Sequence, residues 1–75
     1  APDPEAQAVA RAEHVRVRAA LARLPRMDRE ALLLVALGEM SSAEAAVVLG
    51  LSLSATKMRV HRARKRLVAE LGELP

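Results

Sequence analysis

The sequence predicts an all-α fold, a four-helix helix-turn-helix domain, and three observations predict it. Hydrophobic residues make up 52% of the chain and none is aromatic, so the core has to be assembled from Ala, Leu and Val in close helix contacts rather than around large rings. Apolar residues recur at three- and four-residue spacing, the period of an amphipathic helix. Proline, glycine, aspartate and serine fall where four helices would begin or end. At 75 residues the chain holds one domain and one core, a size at which stability is marginal.

The elements follow in order. Asp3 before Pro4 reads as an N-cap with proline at the first helical position, and nothing interrupts the chain until Leu24-Pro25, so a helix is expected over about 4–23. Its second half sets Val17, Ala20, Leu21 and Leu24 at the spacing of a buried stripe, whereas its first half is mostly Ala, Glu, Gln and Arg and should be exposed. Pro25 pushes Leu24 out of helical geometry, and Asp28 offers a carboxylate cap for a second helix over about 29–37, with Leu32, Leu33, Val35 and Ala36 as its apolar surface. Gly38 supplies the stop. Ser41 or Ser42 then offers a hydroxyl cap for a third helix over about 42–49, with Glu44 near the positive end of its dipole and Ala45, Ala46, Val48 and Leu49 inward. Gly50 ends that helix, Leu51 is expected in the core, and Ser52 caps a fourth helix over about 53–71. There Thr56, Val60, Ala63 and Leu67 define an inward stripe, so the cations between them are expected to point outward. The start at Ala1, with Pro2 and Pro4 close by, reads as a cut through a linker. Residues 1–17 are accordingly read as linker and exposed helix start, and 18–75 as the domain.

Charge is distributed unevenly. Residues 1–40 balance six Arg against six acids, while residues 41–75 carry Lys57, Arg59, Arg62, Arg64, Lys65 and Arg66 against Glu44, Glu70 and Glu73, so the whole excess of +3 lies there. All six cations fall between positions 57 and 66 with no acid among them, which concentrates positive potential on one short segment and makes a polyanion the natural partner. A helix that is merely solvated interleaves Glu to form i,i+4 pairs, and this one does not.

Other classes of function find little support. There is no cysteine, and His14 and His61 lie far apart without ligand-like neighbours, so no metal or cofactor is expected. No Cys nucleophile, phosphate-cradling glycine loop or paired-carboxylate cleft stands in the sequence, and an enzyme is not expected. The longest apolar run, Ala31 to Leu37, is far short of the roughly 20 residues that span a bilayer. A soluble, cytoplasmic protein is expected, without a small-molecule ligand.

A short helix, a turn that begins with glycine and a longer basic helix make the pattern of a helix-turn-helix, whose second helix enters the major groove. Ser54, Lys57, Met58 and His61 share its outward N-terminal face, where base edges would be met. Ser42 and Ser52 are read as caps, Ser42 also as a presenter of backbone N–H groups to a phosphate, and Arg29 and Glu44 as a structural pair between the second and third helices.

Three elements carry a more specific likeness. They are Leu24-Pro25 with Arg29, the run Ser42-Ala43-Glu44-Ala45-Ala46 continuing to Leu49-Gly50-Leu51-Ser52, and the run from Lys57 to Leu67 with Arg59, Arg62, Ala63 and Arg64 at fixed spacing. In this order the chain resembles region 4 of bacterial sigma factors, in particular the extracytoplasmic-function group, over roughly residues 18–71. The resemblance implies a winged-helix-like, four-helix domain that binds the −35 element of promoters, contacts the flap of the RNA polymerase β subunit and is often masked by an anti-sigma factor. Carried over by position, it implies a base-reading face of Leu53, Ser54, Lys57, Met58 and His61, with Arg59 and Arg62 nearer the phosphates and Ser42, Arg64 and Lys65 as further phosphate contacts. The chain departs from the family pattern at Ala55-Thr56, where Thr-Val is usual, and at Ala45, where Ile is usual. Both changes imply a less filled core, at a cost of about 1 kcal/mol per lost methyl contact where nothing compensates. Leu53 and Met58 would touch thymine methyls or serve a protein partner. A protein-interaction module, its basic helix docked on an acidic partner, is the alternative. Membrane-surface binding fits poorly without Trp or Phe on the last helix.

Overall fold

The computed structural model describes residues 3–72, and the expected linker at residues 1–2 and the expected domain end at 73–75 lie outside them. The chain forms α1 (Pro4–Ala22), α2 (Arg26–Ala36), α3 (Ser42–Leu49) and α4 (Leu53–Leu71). The described residues hold no strand, so the likeness to a winged helix rests on the helices alone.

Three of the four helix starts have a side-chain cap. Asp3 accepts the Glu5 N–H at 3.0 Å with Pro4 following, as expected. Ser52 accepts the Ala55 N–H at 3.1 Å. Ser41, rather than Ser42, caps α3. Its hydroxyl accepts the Glu44 N–H at 3.1 Å while the Glu44 carboxylate accepts the Ser41 N–H at 3.0 Å, a reciprocal capping box. Those bonds hold the Glu44 carboxyl below its usual range. They also account for Glu44 without Arg29, whose guanidinium instead donates to the Ala22 carbonyl at 3.4 Å, so the expected pair does not form.

The start of α2 departs most from expectation. Pro25 is itself the N-cap residue, with extended ψ and no side-chain bond to the helix, and α2 begins at Arg26, about a turn before the expected 29. Proline needs no N–H there and presets the entry angle. Asp28 therefore lies inside the first turn, unused as a cap and free to turn toward α4.

Helix ends are set by two unlike devices. Gly50 takes φ +68 and lets the Leu51 N–H reach the Ala46 carbonyl at 3.0 Å, a left-handed cap. At the end of α2 the left-handed residue is Glu39, φ 54, and not Gly38. Gly38 is instead required by proximity, since a Cβ there would lie 2.6 Å from the Leu34 carbonyl oxygen.

α4 is the axis of the fold. It packs against α1, α2 and α3, most extensively against α2, while α2 also meets α3. Ala20, Leu24, Ala31, Leu32, Val60, Ala63 and Leu67 form one buried cluster, with Leu21, Val35, Leu49 and Leu71 half-buried around it. The expected inward stripe of α4 is fully realised: Thr56 and Ala63 have no exposed surface, and Val60 and Leu67 are buried. Thr56 satisfies its buried hydroxyl by donating to the Ser52 carbonyl at 2.9 Å. Ala31 and Ala45 are likewise sealed, so small side chains let the helix axes approach closely.

The other stripes are narrower than expected. In α1 only the last turn is engaged: Ala20 and Leu24 are buried, Leu21 is half-buried and Val17 is exposed. The first turns project into solvent and stretch the molecule to 46 × 25 × 18 Å. In α3 Ala45 and Ala46 are buried and Leu49 half-buried, but Val48 is 59% exposed, because it lines the open groove beside Leu33 and Leu34 of α2 and lies outside the core. On α2, Leu32 is buried, Leu33 and Val35 are half-buried and Ala36 is exposed. Leu51 is half-buried at the rim of the core.

Two substitutions test the helix ends. Gly50→Ala meets no atom within 4 Å, so its cost is the left-handed backbone alone, about 1–2 kcal/mol. Glu39→Gly removes that cost and should stabilise by roughly 0.5–1 kcal/mol. Urea midpoints at constant m-value should move in opposite directions for the two variants.

Candidate nucleic-acid interface

The helix-turn-helix consists of α3, a turn over residues 50–52 and α4. The turn is short because Gly50 reverses the chain and Ser52 immediately caps the next helix. The N-terminal turns of α4 are thereby fixed at both backbone and side-chain level, with the Ser52 and Ser54 hydroxyls 3.4 Å apart.

Seen along α4, three kinds of residue alternate. Thr56, Val60, Ala63 and Leu67 face the core. Ser54, Lys57, Met58, His61 and Lys65 are all exposed and fall at i, i+3, i+4, i+7 and i+11, which sets them on one outward ridge. Leu53 and Met58 are 44% and 55% exposed, so the apolar members of the expected base-reading face are available for contact. Arg64 is exposed as well, and Ser42 is half-buried at the start of α3.

Arg59 and Arg62 belong to a third edge, facing α2, and here the expectation that all the cations point outward is corrected. Arg59 Nη1 donates to Asp28 Oδ1 at 2.9 Å, and Arg62 Nη2 donates to the same oxygen at 3.0 Å. The Asp28 side chain is only 4% exposed. Burial pushes its carboxyl pKa up, but the hydrogen bonds from Arg62 and Arg59, aided by their charges, outweigh this and hold it below the usual carboxylate range. Asp28, Arg62, Lys65 and Arg66 line an open cleft between the start of α2 and α4, with Pro25 and Ala69 as its apolar walls.

Sequence reasoning missed Asp28 and Arg66 as members of this surface. The signal was present, however: Asp28 is an acid on a helix otherwise apolar on its packing side, opposite a cationic run that has no acid of its own. Two further ion pairs tie the periphery, Arg23 with Glu70 at 3.4 Å between α1 and α4, and Arg26 with Glu30 at 3.1 Å within α2. All four groups are well exposed or partly so, which makes these pairs minor contributors.

A second surface lies between α2 and α3, where Leu33, Leu34, Val48 and Leu49, with Glu30 at the edge, line an apolar groove. Leu37 and Val47, 77% and 83% exposed, extend the apolar character of these helices at the surface.

A four-helix fold with a tight turn between a short helix and a long one whose residues 53–69 are rich in cations and hold no acid defines a helix-turn-helix protein. Residues 14–67 match the family Sigma-70, region 4, and the chain belongs to that family. It is 47% identical over 70 residues to RNA polymerase sigma factor CnrH of Cupriavidus metallidurans, covering 93% of this chain and 37% of that protein. It is 41% identical over 70 residues to RNA polymerase sigma factor NccH of Alcaligenes xylosoxydans xylosoxydans, covering 93% of this chain and 38% of that protein. The chain thus spans little more than a third of the length of these relatives. No solved structure gives a significant match.

The Asp28 bridge generates a pH prediction. Because its folded-state pKa is depressed, its stabilisation is fully present above the unfolded value of about 3.9 and is lost as pH falls through the lower, folded value. Asp28→Asn should cost about 1–3 kcal/mol at neutral pH, less than for a sealed pair because both arginines can regain water. Denaturant titrations between neutral pH and pH 2 should show the two proteins converging in stability at the acid end.

Proposed function

We propose that this chain binds duplex DNA at the −35 element of promoters, as the region 4 part of an extracytoplasmic-function sigma factor that directs RNA polymerase to its start sites. The observation that carries the reading is the outward ridge of α4. Ser54, Lys57, Met58, His61 and Lys65 stand together on a helix without an acid between Leu53 and Ala69, while the opposite edge of that helix is sealed in the core. A rod locked on one side presents its other side at a fixed angle, which is what insertion into the major groove requires.

The roles divide by chemistry. Ser54, Lys57 and His61 can exchange hydrogen bonds with base edges, and Leu53 and Met58 offer apolar contact to thymine methyls. Lys65, Arg64, Arg62 and Arg59 supply positive charge for the flanking phosphates, and Ser42 stands at the start of α3, where backbone N–H groups favour an anion. Transcription would place the protein in the cytoplasm.

The groove between α2 and α3 favours a second contact. Its lining of Leu33, Leu34, Val48 and Leu49 shares no residue with the ridge of α4, so it suits a helix of the polymerase β flap while DNA is held. An anti-sigma factor that used Leu53 and Met58 as anchors would instead compete with DNA.

A salt-titrated binding assay against a randomised duplex pool tests the reading. Affinity should fall steeply with salt, and Lys65→Ala should weaken binding to every sequence and flatten the salt slope by about 0.9. Ser54→Ala and Met58→Ala should change which sequences are selected. Binding that is indifferent to salt and sequence would overturn it.

A further inference from the structure

Asp28 is the one buried acid among the described residues, and its partners are two of the six cations of the basic run. The two arginines are not equivalent. Arg59 keeps 29% of its side chain exposed and sits between α2 and α4, whereas Arg62 keeps 52% and opens onto the cleft that it shares with Lys65 and Arg66. A guanidinium carries five N–H donors, and Arg62 directs one nitrogen to Asp28. It is therefore tethered at one end, with donors left over on the solvent side beside two further cations.

Tethering changes what a cation contributes to DNA binding. An untethered arginine swings toward whichever phosphate is near, so it adds affinity for any duplex. A tethered one presents its donors at a single place and gains a phosphate only when the duplex is seated so that a phosphate falls there. Contacts of this sort fix register. The Asp28 charge also cancels one positive charge at the interface and so lowers attraction for polyanions in general.

We propose that Asp28 is a specificity-determining positioning residue: by holding Arg62 it withholds one cation from indiscriminate phosphate capture and offers it to a duplex seated in the register of the base-reading ridge. The proposal rests on the DNA-binding reading above and goes beyond it by assigning discrimination to a residue of α2 that is buried behind the interface.

The test compares two duplexes, one selected from a random pool by the unaltered chain and one of the same composition with its sequence scrambled. For Asp28→Asn, the salt slope on the scrambled duplex should steepen by about 0.9, the signature of one added phosphate contact, and affinity for it at 0.1 M salt should rise by up to about tenfold. The preference for the selected duplex should shrink by the same factor. Arg62→Lys is the second variant. It keeps the charge and the bond between Arg59 and Asp28, but replaces a planar fork with a mobile point charge, and it should narrow the preference in the same way even if Asp28→Asn fails to fold by circular dichroism. If folded variants keep the original preference and slope, or lose affinity for both duplexes in parallel as a loosened fold would, the proposal is overturned. If the unaltered chain shows no salt-dependent duplex binding, the DNA-binding reading fails and the proposal falls with it, a result distinct from the other two.

Discussion

A core without rings has to be closed by proximity. Ala31, Ala45 and Ala63 have no exposed surface, and no side chain larger than leucine stands in the buried cluster. Each such residue contributes little area, so the helices must approach closely and share one common partner to exclude water. That partner is α4, which packs extensively against each of the other three helices. Its register is then over-determined, because rotating it would lift Thr56, Val60, Ala63 and Leu67 out of the interior together. The same constraint places the proposed DNA-binding surface. On a helix of 3.6 residues per turn, fixing one edge fixes the others, so the ridge of Ser54, Lys57, Met58, His61 and Lys65 inherits its direction from the alanine-rich packing behind it.

How far this was legible in the sequence follows from the range of the interactions involved. Local signals were read correctly: the cap at Asp3, the glycine stop at Gly50, the cap at Ser52 and the three-four spacing of the α4 stripe all act within a few residues. The boundaries of α3 and α4 came out as expected for that reason. Where two local options competed, sequence could not decide. Ser41 wins over Ser42 because only from residue 41 does Glu44 fall three positions later and close the capping box. Pro25 takes the cap position that Asp28 was expected to serve, because the carboxylate gains more from two guanidinium groups than from a helix terminus. Such a bridge joins residues 31 and 34 positions apart, and nothing periodic announces it. Burial was overstated for Val17 and Val48 on the same grounds, since periodicity marks a face and cannot show whether a neighbour reaches it.

The charge pattern acquires a different meaning once Asp28 is placed. Six cations without an acid look, along the chain, like an undivided basic run. In three dimensions the run is split: Lys57 and Lys65 stand on the outward ridge, while Arg59 and Arg62 converge on one carboxylate oxygen from α2. One bridge thus does two things at once. It fastens the largest helix contact in the fold, α2 with α4, and it pairs two of the six cations of the run with one carboxylate.

In the proposed reading, stability and recognition are coupled through that bridge, which constrains how the surface can vary. A domain of this size has few kilocalories to spare, so adding cations to α4 raises affinity for any polyanion but also adds repulsion along a single rod. An acid supplied from another helix relieves that repulsion from the edge of α4 that faces α2. An acid on α4 itself, at the i,i+4 spacing that would pair the same arginines, would lie closer to the proposed DNA-binding ridge and weaken its positive potential. Placing the counter-charge on α2 leaves residues 53–69 of α4 without an acid while Arg59 and Arg62 stay paired. For a chain whose hydrophobic interior is made largely of methyl groups and leucines, this cross-helix carboxylate is the economical way to hold a dense run of positive charge on a helix that must also remain folded.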